Sequence, residues 1–206
     1  MPGDYTRRTF DPIRDRVGVF QQQGRVTVDA DQNELVDLID RRLRVTVNDV
    51  LGDGALDHRC AVVPAETPHG FQVAAGPTGL EIGAGRCYVD GILVDNHGET
   101  ASRSYEPITE DIRGQAPIPY GKQPYLTPGS PPATASLAYL DVWHRERTWA
   151  EEPDQLDPAL YGIDTATRRQ TVWQVRLLPG IDPAATCATP DSQIAGWPAV
   201  IAPSPA

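Results

Sequence analysis

The sequence predicts a mainly β protein of the α+β kind: small antiparallel sheets around a β-sandwich-like core, one substantial N-terminal helix, a long proline-rich loop and extended termini. Three observations lead there. The 206 residues include 20 prolines and 18 glycines, which remove backbone donors and weaken regular elements, so short strands, turns and long connections are favoured over a helical bundle. Beyond Gly54 the apolar residues come in short runs separated by breakers. Before it, one stretch repeats apolar side chains at helical spacing.

That stretch predicts a helix over about 31–51. Leu35, Ile39, Leu43 and Val47 recur every four positions, and Val36, Val50 and Leu51 widen the stripe. Asp31 stands where it can cap the first turn, Glu34 follows three residues later in the capping-box position, and Gly52 supplies the stop. The helix is expected to pack on the sheets, with Arg41, Arg42 and Arg44, mainly off the stripe, facing solvent or a partner.

The strands follow in order. Ala61–Val63, Phe71–Val73 and Leu80–Ile82 are short runs between Pro64, Pro68 and glycines. Cys87–Val89 and Ile92–Val94 flank Asp90-Gly91, a dipeptide suited to the positive φ that a type I′ hairpin turn needs at both positions. LAYLDVW (137–143) and TVWQVRLL (171–178) are rich in β-branched and aromatic residues. A short helix fits near 157–161 in the acidic, turn-rich connection between them.

Three regions lack such patterns. Residues 1–24 form a charged N-terminal arm, broken at Asp11-Pro12, that either frays or lies across a neighbouring subunit. Within the β-rich domain of 25–178, the stretch from about 98 to 135 is a long loop whose Tyr105, Tyr120 and Tyr125 suit an ordered contact arm. Residues 179–206 make an extended Pro/Ala-rich tail, disordered or laid along a partner.

Composition excludes some functions. The formal net charge is −10, from 18 basic and 28 acidic residues, and Lys122 is the single lysine, so the cationic footprint of a nucleic-acid binder is missing. No apolar run reaches the roughly 18 residues of a membrane span, and MPGDYTRRTF has no signal-peptide core, so synthesis and assembly are expected in the cytoplasm. Cys60, Cys87 and Cys187 are odd in number and widely spaced, which implies buried free thiols instead of a disulfide framework.

Chemistry-bearing patterns are also missing. Asp29 to Asn33 opens like a calcium loop, yet Glu34 and Asp40 stand where glycine and a bidentate glutamate are required. His58 and Cys60 have no second pair at zinc spacing; His69, His97 and His144 are isolated; Gly83-Ala84-Gly85 precedes a strand instead of a helix. Neither cofactor nor metal is expected. Glu151, Glu152 and Asp154 behind Trp149 could serve a glycoside hydrolase, although adjacent acids on a loop more often form a solvated face. Trp143, Trp149, Trp173 and Tyr161 near acidic turns suit a carbohydrate- or receptor-binding module.

Five segments together are similar to a known pattern: PGDYTRRTFDP, QQQGRVTVDADQNE, GRCYVDGILVDN, YLDVWHRERT with EEP, and GIDTATRRQTVWQVRL, spanning roughly 3–178. The ordered set resembles an uncharacterised domain family encoded with phage-tail-like contractile injection systems, and GRCYVDG alone resembles strands near the attachment ends of tail-fibre and baseplate proteins. The resemblance implies a non-catalytic structural part that contacts baseplate, sheath, spike or fibre proteins and is released with the assembled particle. Family members often carry further C-terminal domains; the Pro/Ala tail here favours an adaptor, baseplate or cage-like decorating part over a complete fibre. Trimeric or sixfold association is expected from the symmetry of such particles. The expected contact residues are Tyr5, Arg7, Arg8 and Phe10 in the arm, then Tyr120 and Tyr125, because tyrosine and arginine are enriched at binding hot spots.

Overall fold

The computed structural model describes residues 4–51, 61–77, 79–99, 115–125, 128–186 and 189–202. Within them the chain is mainly β, with small antiparallel sheets and one substantial helix. Helix α1 runs Asp29–Leu51. The strands are β1 (Ala61–Val62), β2 (Val73–Gly76), β3 (Gly79–Ile82), β4 (Gly85–Val89), β5 (Ile92–Asn96), β6 (Ile118–Pro119), β7 (Ser136–Arg147), β8 (Leu156–Asp157), β9 (Ile163–Asp164) and β10 (Arg168–Pro179). A last short helix, α2, spans Trp197–Val200.

The strands form four small sheets, ordered β1-β4-β5, β2-β3-β6, β7-β10 and β8-β9. β2 and β3 pair from Val73 opposite Ile82 to Gly76 opposite Gly79, and β3 also takes β6, with Ile82 opposite Ile118. The chain separates into two compact units, Met1–Leu56 with Asp90–Ile92 and His144–Gln170, and Asp57–Val89 with Leu93–Trp143 and Thr171–Ala206. The division falls inside both β7 and β10.

The second unit holds most of the apolar core. Ile82, Cys87, Val94, Ile118, Val172, Trp173 and Val175 are buried, drawn from β3, β4, β5, β6 and β10. Trp173 is held edge-on by Phe71 at 4.9 Å between ring centroids, and its indole N–H donates to the Asp95 carbonyl at 2.9 Å. Phe71 was expected in a strand. It instead occupies a turn at φ 60°, with β2 starting at Val73, which frees its ring to reach Trp173. Buried Asn96 donates to the Gly83 carbonyl at 2.9 Å and accepts from the Gly98 N–H at 3.1 Å, so its desolvated amide is satisfied.

Asp90 and Gly91 have φ of 47° and 70°, the two positive values of a type I′ turn, so β4 and β5 form the expected hairpin. The short helix near 157–161 exists as a single 3₁₀ turn, Pro158–Leu160, capped by the Asp157 carboxylate, which accepts from the Ala159 N–H at 2.8 Å.

Several sequence expectations are corrected. The 179–206 tail is not simply extended: it carries a 3₁₀ turn at Asp191–Gln193 and then α2, Ile194 is buried, and Trp197 packs edge-on against Tyr139 at 5.4 Å. Trp197 and Ile194 give this proline-rich segment apolar surface to bury against its own unit. Within the long loop, β6 and the 3₁₀ turn Tyr120–Lys122 are ordered parts of a sheet edge. Gly52, His58, Cys60, Tyr105 and Cys187 lie outside the described residues.

Helix α1 departs most from its expected packing. Ala30, Glu34 and Leu38 are its buried residues, flanked by half-buried Asp37, Arg44 and Asn48. Of the stripe read as its packing face, Ile39, Leu43, Val36 and Val50 are exposed, and Leu35 and Val47 are only half-buried. Helical periodicity reports that an apolar stripe exists, not which side of the helix the rest of the chain covers.

Candidate interaction site

The N-terminal arm, α1, the β4–β5 turn and the 163–170 segment converge within the first unit. Helix α1 begins at Asp29, two residues before the expected cap, so Asp31 sits in the first turn, where its charge complements the helix N-terminus. Asp29 is tied to the arm instead: its carboxylate accepts from the Thr6 N–H at 3.0 Å and the Thr6 hydroxyl at 2.6 Å. Those two bonds, the hydroxyl's above all, hold its carboxyl below the usual range. Glu34, expected to close a capping box, turns to the arm as well. It accepts from the Thr9 hydroxyl and from Arg16 at 2.7 Å, and the Thr9 bond first, then Arg16, lowers its pKa. The arm is therefore fastened along its own helix.

One helical turn further on, the β4–β5 turn meets α1. Asp90 accepts from the Arg44 guanidinium and, at 3.0 Å, from the Asn48 amide. A Cβ on Gly91 would lie 2.5 Å from the Arg44 carbonyl oxygen, so this position needs glycine for close approach as well as for its φ. From the start of β10, Arg169 donates to Asp37 at 3.1 Å and Asp40 at 3.5 Å.

These elements enclose a cleft of about 490 Å³ whose walls include Arg8, Phe10, Arg41, Arg44, Asp90 and Arg169. A neighbouring groove of about 650 Å³ shares Arg8, Asp37, Asp40 and Arg169 and adds Tyr5, Asn33 and Glu146. Tyr5 lies across it, its hydroxyl 2.6 Å from the Thr167 hydroxyl and donating to Glu146 at 3.2 Å. In this cleft Arg44 and Arg169 are committed to aspartates of the chain, while Arg8 and Arg41 are exposed and hold no ion pair among the described residues. His144, on β7, has its pKa lowered by burial first and then by the Arg169 charge. Two uncommitted guanidiniums beside Phe10 make a surface able to take carboxylates with an adjoining apolar group.

Of the six residues expected to make contacts, the structure brings Tyr5, Arg8 and Phe10 to this cleft and groove. Arg7 is exposed nearby in sequence but lines neither. Tyr120 and Tyr125 belong to the other unit. Tyr120 is only 7% exposed, with burial raising its pKa, and Tyr125 stands edge-on to Trp173 at 6.2 Å, so both pack within their own unit. Arg41 was expected only to face solvent or a partner and Arg169 was not singled out; nothing in sequence spacing brings 41 and 169 together.

The acidic pair also takes a definite form. Glu152 accepts from Arg147 at 2.8 Å and from Gln155, and the Arg147 bond leads in lowering its pKa. Glu151 accepts from the same Arg147 at 3.1 Å. A glycosidase general acid needs the opposite environment, one that raises a carboxyl pKa. Among the described residues no group of three metal-ligating side chains could hold an ion, and no helix is long and apolar enough to cross a membrane.

A family model described as a family of unknown function (DUF6519) matches residues 1–191. The chain belongs to this family. The match takes in both units, so the arm, α1, the hairpin and β10 are family features and not an appended segment. No curated protein and no solved structure matches the chain.

Proposed function

We propose that this DUF6519 chain is a non-catalytic structural subunit of a phage-tail-like contractile injection particle, acting as a baseplate, adaptor, fibre-attachment or cage-decorating part. The observation that carries this reading is the ordered set of five segments from PGDYTRRTFDP to GIDTATRRQTVWQVRL. The arm cleft supports it: Tyr5, Arg8, Arg41 and Phe10 offer the residue types that dominate protein interfaces. The net charge of −10 speaks against nucleic acid as the partner. The work of such a subunit is done by buried interface area and not by bond chemistry. Assembly takes place in the cytoplasm, with release in the finished particle.

Mass spectrometry and cryo-electron microscopy of particles purified from the source cell test the reading. Density for the chain at the baseplate, cap or outer surface is expected; particles lacking the protein would overturn it.

A carbohydrate- or receptor-binding module is the second reading, favoured by Trp149 and Tyr161. Trp149 is 47% exposed and Tyr161 99% exposed, both beside acidic turns, whereas Trp173 is buried. A glycan array decides it: hits lost in Tyr161→Ala support it, and no hits end it.

A further inference from the structure

Helix α1 is amphipathic inside out. Its polar residues Glu34, Asp37, Arg44 and Asn48 face the chain's own arm, Arg169 and the β4–β5 turn, and apart from buried Ala30 and Leu38 and half-buried Leu35 and Val47 its apolar residues up to Val50 are exposed. Val36, Ile39, Leu43 and Val50 are 56, 52, 61 and 74% exposed, and Thr46 lies among them on the same side. Positions 36, 39, 43, 46 and 50 are spaced by alternating steps of three and four, the rhythm of the a and d positions of a helix–helix seam. Scattered exposed apolar residues need no explanation, but a continuous seam opposite a satisfied polar face does.

We propose that this seam pairs antiparallel with the same seam of a second copy of the chain. Charge selects both the partner and the direction. Arg42 and Asp49 lie seven residues apart on one flank of the seam, both exposed, neither holding an ion pair among the described residues. A two-fold antiparallel alignment that layers Ile39 on Val50 and Leu43 on Thr46 of the second copy sets Arg42 opposite Asp49, twice over. A parallel alignment would set Arg42 opposite Val47 and leave all four charges unmatched. Self-complementarity of this kind is what an isologous interface requires. The layered stretch rises about 16 Å at 1.5 Å per residue. Such a seam falls near the lower size bound of specific interfaces, about 1,000 Å² in total, so the dimer is expected to be concentration-dependent.

The inference rests on the reading of the chain as an assembly subunit and names one of its partners. It is measured on the isolated protein, so its failure is distinguishable from absence of the chain from particles. Sedimentation velocity of the full chain over a concentration series is expected to show a monomer–dimer equilibrium. Leu43→Asp, at an exposed position that leaves the fold intact by circular dichroism, is expected to weaken the dimer at least about tenfold. Arg42→Asp and Asp49→Arg should each weaken it several-fold by facing like charges, and the double exchange should restore it. A monomer at every concentration, an oligomer indifferent to Leu43→Asp, or single charge reversals that the double exchange does not rescue would each overturn the proposal.

Discussion

The side-chain amide of Gln123 bonds both backbone groups of Val175: the Val175 N–H donates to Gln123 Oε1 at 2.7 Å, and Gln123 Nε2 donates to the Val175 carbonyl at 3.0 Å. A strand residue presents its N–H and carbonyl on the same edge, and among the described residues β10 pairs with β7 alone, so the glutamine acts as a one-residue strand on the remaining edge. Both residues are buried, where water cannot replace the lost bonds.

Gln123→Ala is therefore expected to orphan two buried backbone groups and lower stability by about 2–4 kcal/mol. Urea denaturation checks this, with hydrogen exchange at the Val175 amide as the local readout. Unchanged protection at Val175 would refute the strand-surrogate account.

The β4–β5 turn separates backbone demand from charge. Gly91→Ala meets both the φ of 70° and the Arg44 carbonyl, and is expected to cost about 2–4 kcal/mol. Asp90→Asn keeps the turn and loses only an exposed ion pair with Arg44, expected to cost under about 1 kcal/mol. Thermal melts of the two variants should rank them in that order.

Stability should fall toward acid in two stages. The folded-state pKa of His144 is lowered, so as pH drops through about 6.5 the unfolded chain takes up a proton before the folded one does, and stability declines. Asp29, Glu34 and Glu152 are lowered as carboxylates, so their contribution is present above about 4.5 and is lost as pH falls below it. Melting temperature against pH is the measurement, and His144→Gln should remove the upper stage alone.

Cys87 is buried in β4 and its thiol pKa is raised by burial, so the reactive thiolate is suppressed twice over. Pulse alkylation followed by peptide mass spectrometry should leave Cys87 unmodified in the native state and label it on unfolding in urea. Rapid native labelling would contradict its placement in the core.

The sequence by itself determined the local elements. Apolar residues four apart placed α1 to within two residues of its start, Asp90-Gly91 fixed a hairpin, and the runs at 137–143 and 171–178 became the two longest strands. These follow from backbone sterics and side-chain spacing, which act over a few residues. Tyr5, Arg8 and Phe10 were legible as contact candidates only by residue type. What tertiary structure decided was which surfaces are covered: that the polar face of α1 turns inward, that Glu34 serves Thr9 and Arg16 instead of the helix cap, that Tyr120 is buried, and that Gln123 completes β10. Each depends on a partner distant along the chain, from Arg169 against Asp37 to Gln123 against Val175, and periodicity carries no information about what will stand opposite.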